Sequence, residues 1–160
     1  MMKRLSFCCA FALFCLFPGL SWAQYNFPVT ELQKMTSKNV SDFDTYAMEK
    51  DYSMDNKASS QILKVYHSEK PAADGKTYTI TRYQVPNMAC KIEFTTTDKK
   101  YYLDIKSKLE SMGFKLVNDQ VKTINGAQAQ VYNYSNGPFM LALSTYKTDV
   151  AWFVVAINPS

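Results

Sequence analysis

Lys108-Leu109-Glu110-Ser111-Met112-Gly113-Phe114 repeats the form of Tyr46-Ala47-Met48-Glu49-Lys50-Asp51-Tyr52 about sixty residues earlier: a helix end, a turn residue, then an aromatic. At a shift of roughly 62 to 66 residues the register persists through the segments that follow each helix. Self-similarity at a fixed period marks a duplicated unit, because one small unit cannot bury its apolar face alone. The fold class expected is therefore α+β, with two tandem helix-plus-four-strand repeats forming one antiparallel sheet that carries helices on one face. The first αββββ repeat covers residues 24–96 and the second residues 97–160, within one continuous globular domain.

Thr30 to Met35 reads as a short helix, and Ser41 with Asp44 three residues on gives a capping signal for a second helix ending at Lys50. In the second half Tyr102, Ile105, Leu109 and Met112 recur at helical spacing, and Gly113 is placed to end that helix. Strands are expected over Tyr52 to Met54, Gln61 to Ser68, Thr77 to Val85 and Cys90 to Thr96. Four more follow over Phe114 to Asn118, Ala129 to Ser135, Phe139 to Tyr146 and Trp152 to Ile157. Asp74-Gly75, Asn125-Gly126 and Asn136-Gly137-Pro138 suit hairpin turns between them.

A sheet with helices on one side sorts its side chains by period-two alternation. Leu63, Val65, Ala129 and Val131 are assigned to the core, with Cys90, Ile92, Phe94, Phe153, Val155 and Ile157. The opposite face then shows Tyr66, Thr79, Thr81, Tyr83, Lys91 and Glu93 from the first half. From the second come Tyr132, Tyr134, Met140, Ala142, Ser144, Tyr146, Trp152 and Val154. Tyr and Trp bury large area at low entropic cost and keep a hydrogen-bonding tip, so such a cluster marks an interaction surface. Tyr83, Tyr132, Tyr134, Met140, Tyr146 and Trp152 are the candidate partner-binding residues. The bland reading is that tyrosine favours strands whatever the function, and that a second copy, a loop or the segment Tyr25 to Val29 closes the face.

This element order and duplication resemble the β-lactamase-inhibitor-protein-like fold, in which two helix-plus-four-strand units join into one long sheet that grips a partner protein. The resemblance spans nearly all of residues 24–160 and implies a protein-binding sheet; it shares no motif, so no inhibitory residue is carried across. The chain departs from that family's secreted inhibitors, which are disulfide-stapled, because Cys90 is the one cysteine beyond residue 23.

Lys3 and Arg4, an apolar stretch from Leu5 to Leu20 broken by Pro18 and Gly19, and Ser21-Trp22-Ala23 read as a secretory signal peptide cleaved near Ala23. The stretch is shorter than the ~20 residues a membrane span needs, so no stable membrane insertion is expected after cleavage. The expected location is periplasmic or secreted. Cleavage removes Cys8, Cys9 and Cys15, leaving no internal disulfide, and residues 24–160 are enough to bury roughly two thirds of their unfolded surface without one. Two of the 18 basic residues leave with the signal and none of the 14 acidic ones does, which halves the formal charge of +4. Arg82 is then the single arginine, too few for phosphate or base recognition, and nucleic-acid binding is set aside.

His67 is the one histidine. Its strand places it on the side of Leu63 and Val65, nominally with Cys90, but nothing local activates that thiol, so packing is the default over a catalytic pair. Gly75, Gly113, Gly126 and Gly137 sit where turns or caps account for them, and phosphate-loop and nucleophile-elbow patterns are absent. Asp42, Asp44, Glu49, Asp51 and Asp55 lack the glycine and terminal glutamate of a calcium loop and read as the solvated side of a helix. One His with one Cys does not make a zinc site, and no spacing supports Glu93 and Asp104 as a glycosidase pair. No catalytic residue, metal or cofactor is expected. The chain reads as an exported, non-enzymatic protein that uses its aromatic sheet face to bind a protein or peptide partner in the cell envelope. The alternatives are a homodimer formed through that face and a carbohydrate-binding module for the cell wall.

Overall fold

The computed structural model describes residues 27–68 and 75–160. The signal peptide expected over residues 1–23 lies outside them. Three helices and eight strands are described: α1 (Val29–Thr36), α2 (Val40–Glu49), β1 (Tyr52–Met54), β2 (Leu63–Ser68), β3 (Tyr78–Tyr83), β4 (Lys91–Thr96), α3 (Lys99–Lys108), β5 (Lys115–Ile124), β6 (Ala127–Ser135), β7 (Phe139–Lys147) and β8 (Trp152–Pro159). All strands belong to one antiparallel sheet in the order β1-β2-β3-β4-β8-β7-β6-β5. Two meanders therefore meet through their last strands, where Ile92 stands opposite Ile157 and Phe94 opposite Val155.

Local chemistry sets the helix ends. Asn39, not Ser41, caps α2: its side-chain oxygen accepts from the Asp42 N–H at 2.8 Å and its amide donates back to the Asp42 carboxylate at 2.9 Å. Asp98 caps α3 by accepting from Lys100 N–H at 2.9 Å and Tyr101 N–H at 3.3 Å. A 3₁₀ turn, Glu110–Met112, extends α3, and Gly113 closes it at φ 80°, a left-handed conformation that strains any residue with a Cβ. Phe114 N–H then returns to Leu109 O at 2.9 Å, and both side chains are fully buried at that corner.

All three helices pack on one face of the sheet. Ring contacts show the seam: Phe43 of α2 to Tyr66 at 5.2 Å, Phe27 before α1 to Phe94 at 5.6 Å, and Tyr101 and Tyr102 of α3 to Phe94 and Phe153 at 5.0 and 4.9 Å. The Tyr101 hydroxyl donates to Phe27 O, tying α3 to the entry of α1. Ile92, Phe94, Phe153, Val155 and Ile157 face this core as expected, with Cys90 beside them.

Strands β2 and β6 are turned over relative to the sequence expectation. Tyr66 lies in the core opposite Ile80, while Leu63 and Val65 stand opposite Tyr83 and Thr81 on the other face. Tyr132 and Tyr134 pair with Leu143 and Leu141 on the helix side, while Ala129 and Val131 pair with Tyr146 and Ser144 on the far side. Both strands carry apolar side chains at both parities, so alternation does not choose between the faces, and a one-residue slip inverts every assignment. Burying the larger rings removes more apolar surface. In β2 the Tyr66 hydroxyl also finds an acceptor in Asp44 of α2.

Strand β5 runs on to Ile124, past the expected end at Asn118. Asn125 and Gly126, at φ 51° and 80°, form a two-residue hairpin turn that places Ile124 directly opposite Ala127, so both strands continue to the turn. Its side chains are mostly exposed and polar, and for that reason the hydrophobic pattern missed it.

The face assignment has a direct energetic consequence. Tyr66→Ala removes a ring that is 1 % exposed and is expected to cost about 3–5 kcal/mol in urea unfolding, whereas Tyr83→Ala, on the opposite face, is expected to cost about 1 kcal/mol at an unchanged m-value.

Candidate functional site

The face away from the helices has a floor of small side chains across its centre. Ala142 of β7 stands opposite Ala156 of β8, Ser144 opposite Val154, and Ala156 in turn opposite Glu93 of β4. Larger side chains surround this strip. Tyr146 and Trp152 form a cross-strand pair at one end, Met140 stands opposite Asn158 at the other, and Tyr83 with Lys91 rises from the first meander. Tyr83, Met140, Tyr146 and Trp152 are each half-buried, so each keeps surface to offer.

Tyr83, Lys91 and Glu93 are locked together. The Tyr83 hydroxyl donates to Glu93 Oε2 at 2.9 Å, and Lys91 Nζ donates to Glu93 Oε1 at 2.7 Å. The same ammonium lies 4.3 Å from the Tyr83 ring centroid, within cation–π range. Burial, followed by the negative charge of Glu93, holds the Tyr83 hydroxyl well above the ordinary tyrosine range and pushes Tyr146 up as well. Tyr146 therefore lies within the electrostatic field of the same carboxylate. The arrangement offers aromatic faces, a fixed carboxylate and a cation over a shallow apolar floor, which is binding chemistry.

Of the six residues expected to line a partner surface, the structure brings together Tyr83, Met140, Tyr146 and Trp152. Tyr132 and Tyr134 do not join them. Tyr134 is buried in the core, and Tyr132 is half-buried on the helix side, its ring 3.6 Å from Lys106 Nζ of α3. Leu63, Val65, Ala129 and Val131 take the vacated positions on the outer face. The strand alternation puts Lys91 and Glu93 on this face but does not by itself link them to Tyr83. Their i, i+2 spacing on a strand, with a tyrosine on the same face, was the available signal.

His67 and Cys90 lie on opposite sides of the sheet. His67 is on the outer face with Nδ1 3.0 Å from Thr79 Oγ1 and Nε2 3.4 Å from Asp55 Oδ2. Asp55 belongs to the turn after β1, not to a helix; N–H groups of Ala58 and Lys57 hold its carboxyl below the usual carboxylate range. Asp44, also expected to be solvated, accepts from the Tyr66 hydroxyl. Cys90 is packed on the helix side, where burial pushes its thiol up, partly offset by the charge of Arg82. Arg82 itself is buried beneath the α1–α2 corner. Its Nη2 donates to Lys38 O at 2.9 Å and to Gln84 Oε1 at 3.0 Å, and its guanidinium lies 5.8 Å from the Phe43 ring. Among the described residues, no cluster of three or more His, Cys, Asp or Glu is arranged to hold a metal ion, and no helix is long and apolar enough to cross a membrane.

No protein-family model matches the sequence, and no curated protein does. A solved structure that is similar in part is that of a protein of unknown function, PA94 from Pseudomonas aeruginosa, at 16 % identity and a TM-score of 0.31 over 68 % of this chain and 83 % of that chain. It assigns no function here.

The Glu93 field has a measurable signature in alkaline titration. Tyr83→Phe and Tyr146→Phe should each delete one late-ionising group from the tyrosinate absorbance curve, and Glu93→Gln should bring Tyr146 back toward its ordinary range. A folded-state value above the unfolded one contributes stability below about pH 10 and loses it as pH rises through the folded value. Glu93→Gln should therefore flatten the alkaline fall in stability.

Proposed function

We propose that this chain is an exported, non-enzymatic binding protein whose sheet face opposite the helices holds a protein or peptide partner in the cell envelope. One observation carries the reading. Tyr83, Met140, Tyr146 and Trp152 stand half-buried around a floor of Ala142, Ser144, Val154 and Ala156, on the face to which none of the described helices packs. A low floor between aromatic walls accommodates an extended chain, and Tyr and Trp rings give contact area at little entropic cost. Export is supported by the Lys3-to-Ala23 pattern, and the large core of the described residues accounts for a fold that needs no disulfide.

The element order supports the finer reading of two tandem repeats. A helix precedes each four-stranded meander, and the two meanders pair through β4 and β8, their equivalent last strands. The same order is the ground for the resemblance to the β-lactamase-inhibitor-protein-like fold, whose sheet grips a partner.

The test is selection of peptides on the protein from a random library, followed by affinity measurement against substituted variants. Tyr146→Ala with Trp152→Ala is expected to weaken selected peptides about 30-fold or more while leaving the urea midpoint close to wild type. Equal affinity of the double variant contradicts the reading. A concentration-dependent dimer in sedimentation that excludes peptides would assign the face to a second copy, and retention on cell-wall fragments with no peptide selected would assign it to carbohydrate.

A further inference from the structure

The Lys91 ammonium shows which chemistry the outer face accommodates. It rests between two groups that recognise cations by different means, a carboxylate oxygen at 2.7 Å and an aromatic ring centroid at 4.3 Å. Glu93 does not depend on the lysine for its orientation, because its other oxygen accepts from the Tyr83 hydroxyl at 2.9 Å. The seat is thus preorganised, and removing the lysine leaves it standing. The two members of the ion pair also differ in exposure: the side chain of Lys91 is 39 % exposed and that of Glu93 23 %. Lys91, on a flexible four-carbon stem, can swing into water, whereas Glu93 is held in place.

The seat also has an approach. Glu93, Ala156 and Ala142 stand side by side across β4, β8 and β7, so no bulky side chain intervenes between the carboxylate and the centre of the sheet. An aliphatic stem lying along this row would pack on two alanines. Tyr146, paired across the strands with Trp152 on the same face, supplies an aromatic wall at the end of the strip.

We propose that the partner bound on this face presents a primary ammonium, as a lysine side chain does, to the seat formed by Glu93 and the Tyr83 ring, and that Lys91 occupies the seat when the partner is absent. The inference rests on the binding reading above and adds the partner's chemistry to it. Exchange of one ammonium for another leaves the ion pair nearly unchanged in strength. Discrimination then comes from rejecting ligands that would leave Glu93 without a cation, and added affinity from the stem on the alanine row and the aromatic wall.

The experiment compares an acetylated, amidated Ala-Lys-Ala-Lys-Ala peptide with its norleucine counterpart, titrated by calorimetry and amide chemical shift into the full chain and two variants. Wild type should prefer the lysine peptide by about tenfold. Lys91→Ala, which empties the seat, should bind it about fivefold more tightly still. Glu93→Gln keeps an acceptor for Tyr83 but loses the charge, and should bind the two peptides equally; because the preference is read within one variant, a modest loss of stability does not obscure it. Equal binding of both peptides to wild type and Lys91→Ala overturns the cation inference and leaves a peptide-binding face in place. Binding of neither peptide to either protein overturns the inference, while the library selection separately decides the binding reading. A dimer that blocks the peptides, and that Lys91→Ala leaves intact, also overturns it.

Discussion

Phe94 stands where the two halves of the molecule meet, and the rest of the structure is arranged around it. Its ring contacts Phe27 from the entry to α1, Tyr78 from β3 and Tyr101 from α3, while across the strand pair it faces Val155 of β8. One fully buried ring thus ties helices from both halves to the strands that join the meanders. Antiparallel pairing of β4 with β8 is tenable only because this apolar row is covered: Ile92 with Ile157 and Phe94 with Val155 need the helices above them. Separated, each meander would expose that row to water.

The helices consume the large apolar groups on one side, and the opposite side is left with a different inventory. Where β4, β8 and β7 run together, the core side carries Phe94, Val155 and Leu143, whereas the outer side carries Glu93, Ala156 and Ala142. The outer side chains are small at the centre and large toward the margins. A floor with walls follows from the alternation of three adjacent strands, and the bonded group of Tyr83, Lys91 and Glu93 adds a directional, charged element to an otherwise shallow apolar surface.

Most of the element order was legible in the sequence because turn residues and apolar periodicity agreed. Gly113 and Asn136-Gly137-Pro138 bound their elements where expected, Asn125-Gly126 makes the expected turn between strands longer than expected, and Ile92 and Phe94 alternate with the charged Lys91 and Glu93; in β8, where Trp152, Val154 and Ala156 are apolar as well, the facing is set by pairing with β4. The failures have a common physical cause. In Leu63-Lys64-Val65-Tyr66 and Ala129-Gln130-Val131-Tyr132-Asn133-Tyr134 both parities offer apolar groups, so the facing is decided by what lies across the sheet: Phe43 and Asp44 above Tyr66, and Leu141 opposite Tyr134. That information is non-local. The loss of Tyr132 and Tyr134 from the expected surface follows from it, as does the arrival of Leu63 and Val65. The Tyr83–Glu93–Lys91 group was hidden for the opposite reason: each residue was placed on the correct face, but the pairing that links them spans the turn between β3 and β4.

The central claim is that the sheet face opposite the helices is where a partner is held. Its most direct measurement is amide chemical-shift mapping of the isotopically labelled chain against a selected partner peptide. The account expects the largest shifts on Tyr83, Lys91, Glu93, Ala142, Tyr146, Trp152 and Ala156, with α1, α2 and α3 little changed. Shifts concentrated on the helices, or around Tyr132 and Tyr134 beneath α3, would place the partner on the other side of the molecule and contradict it.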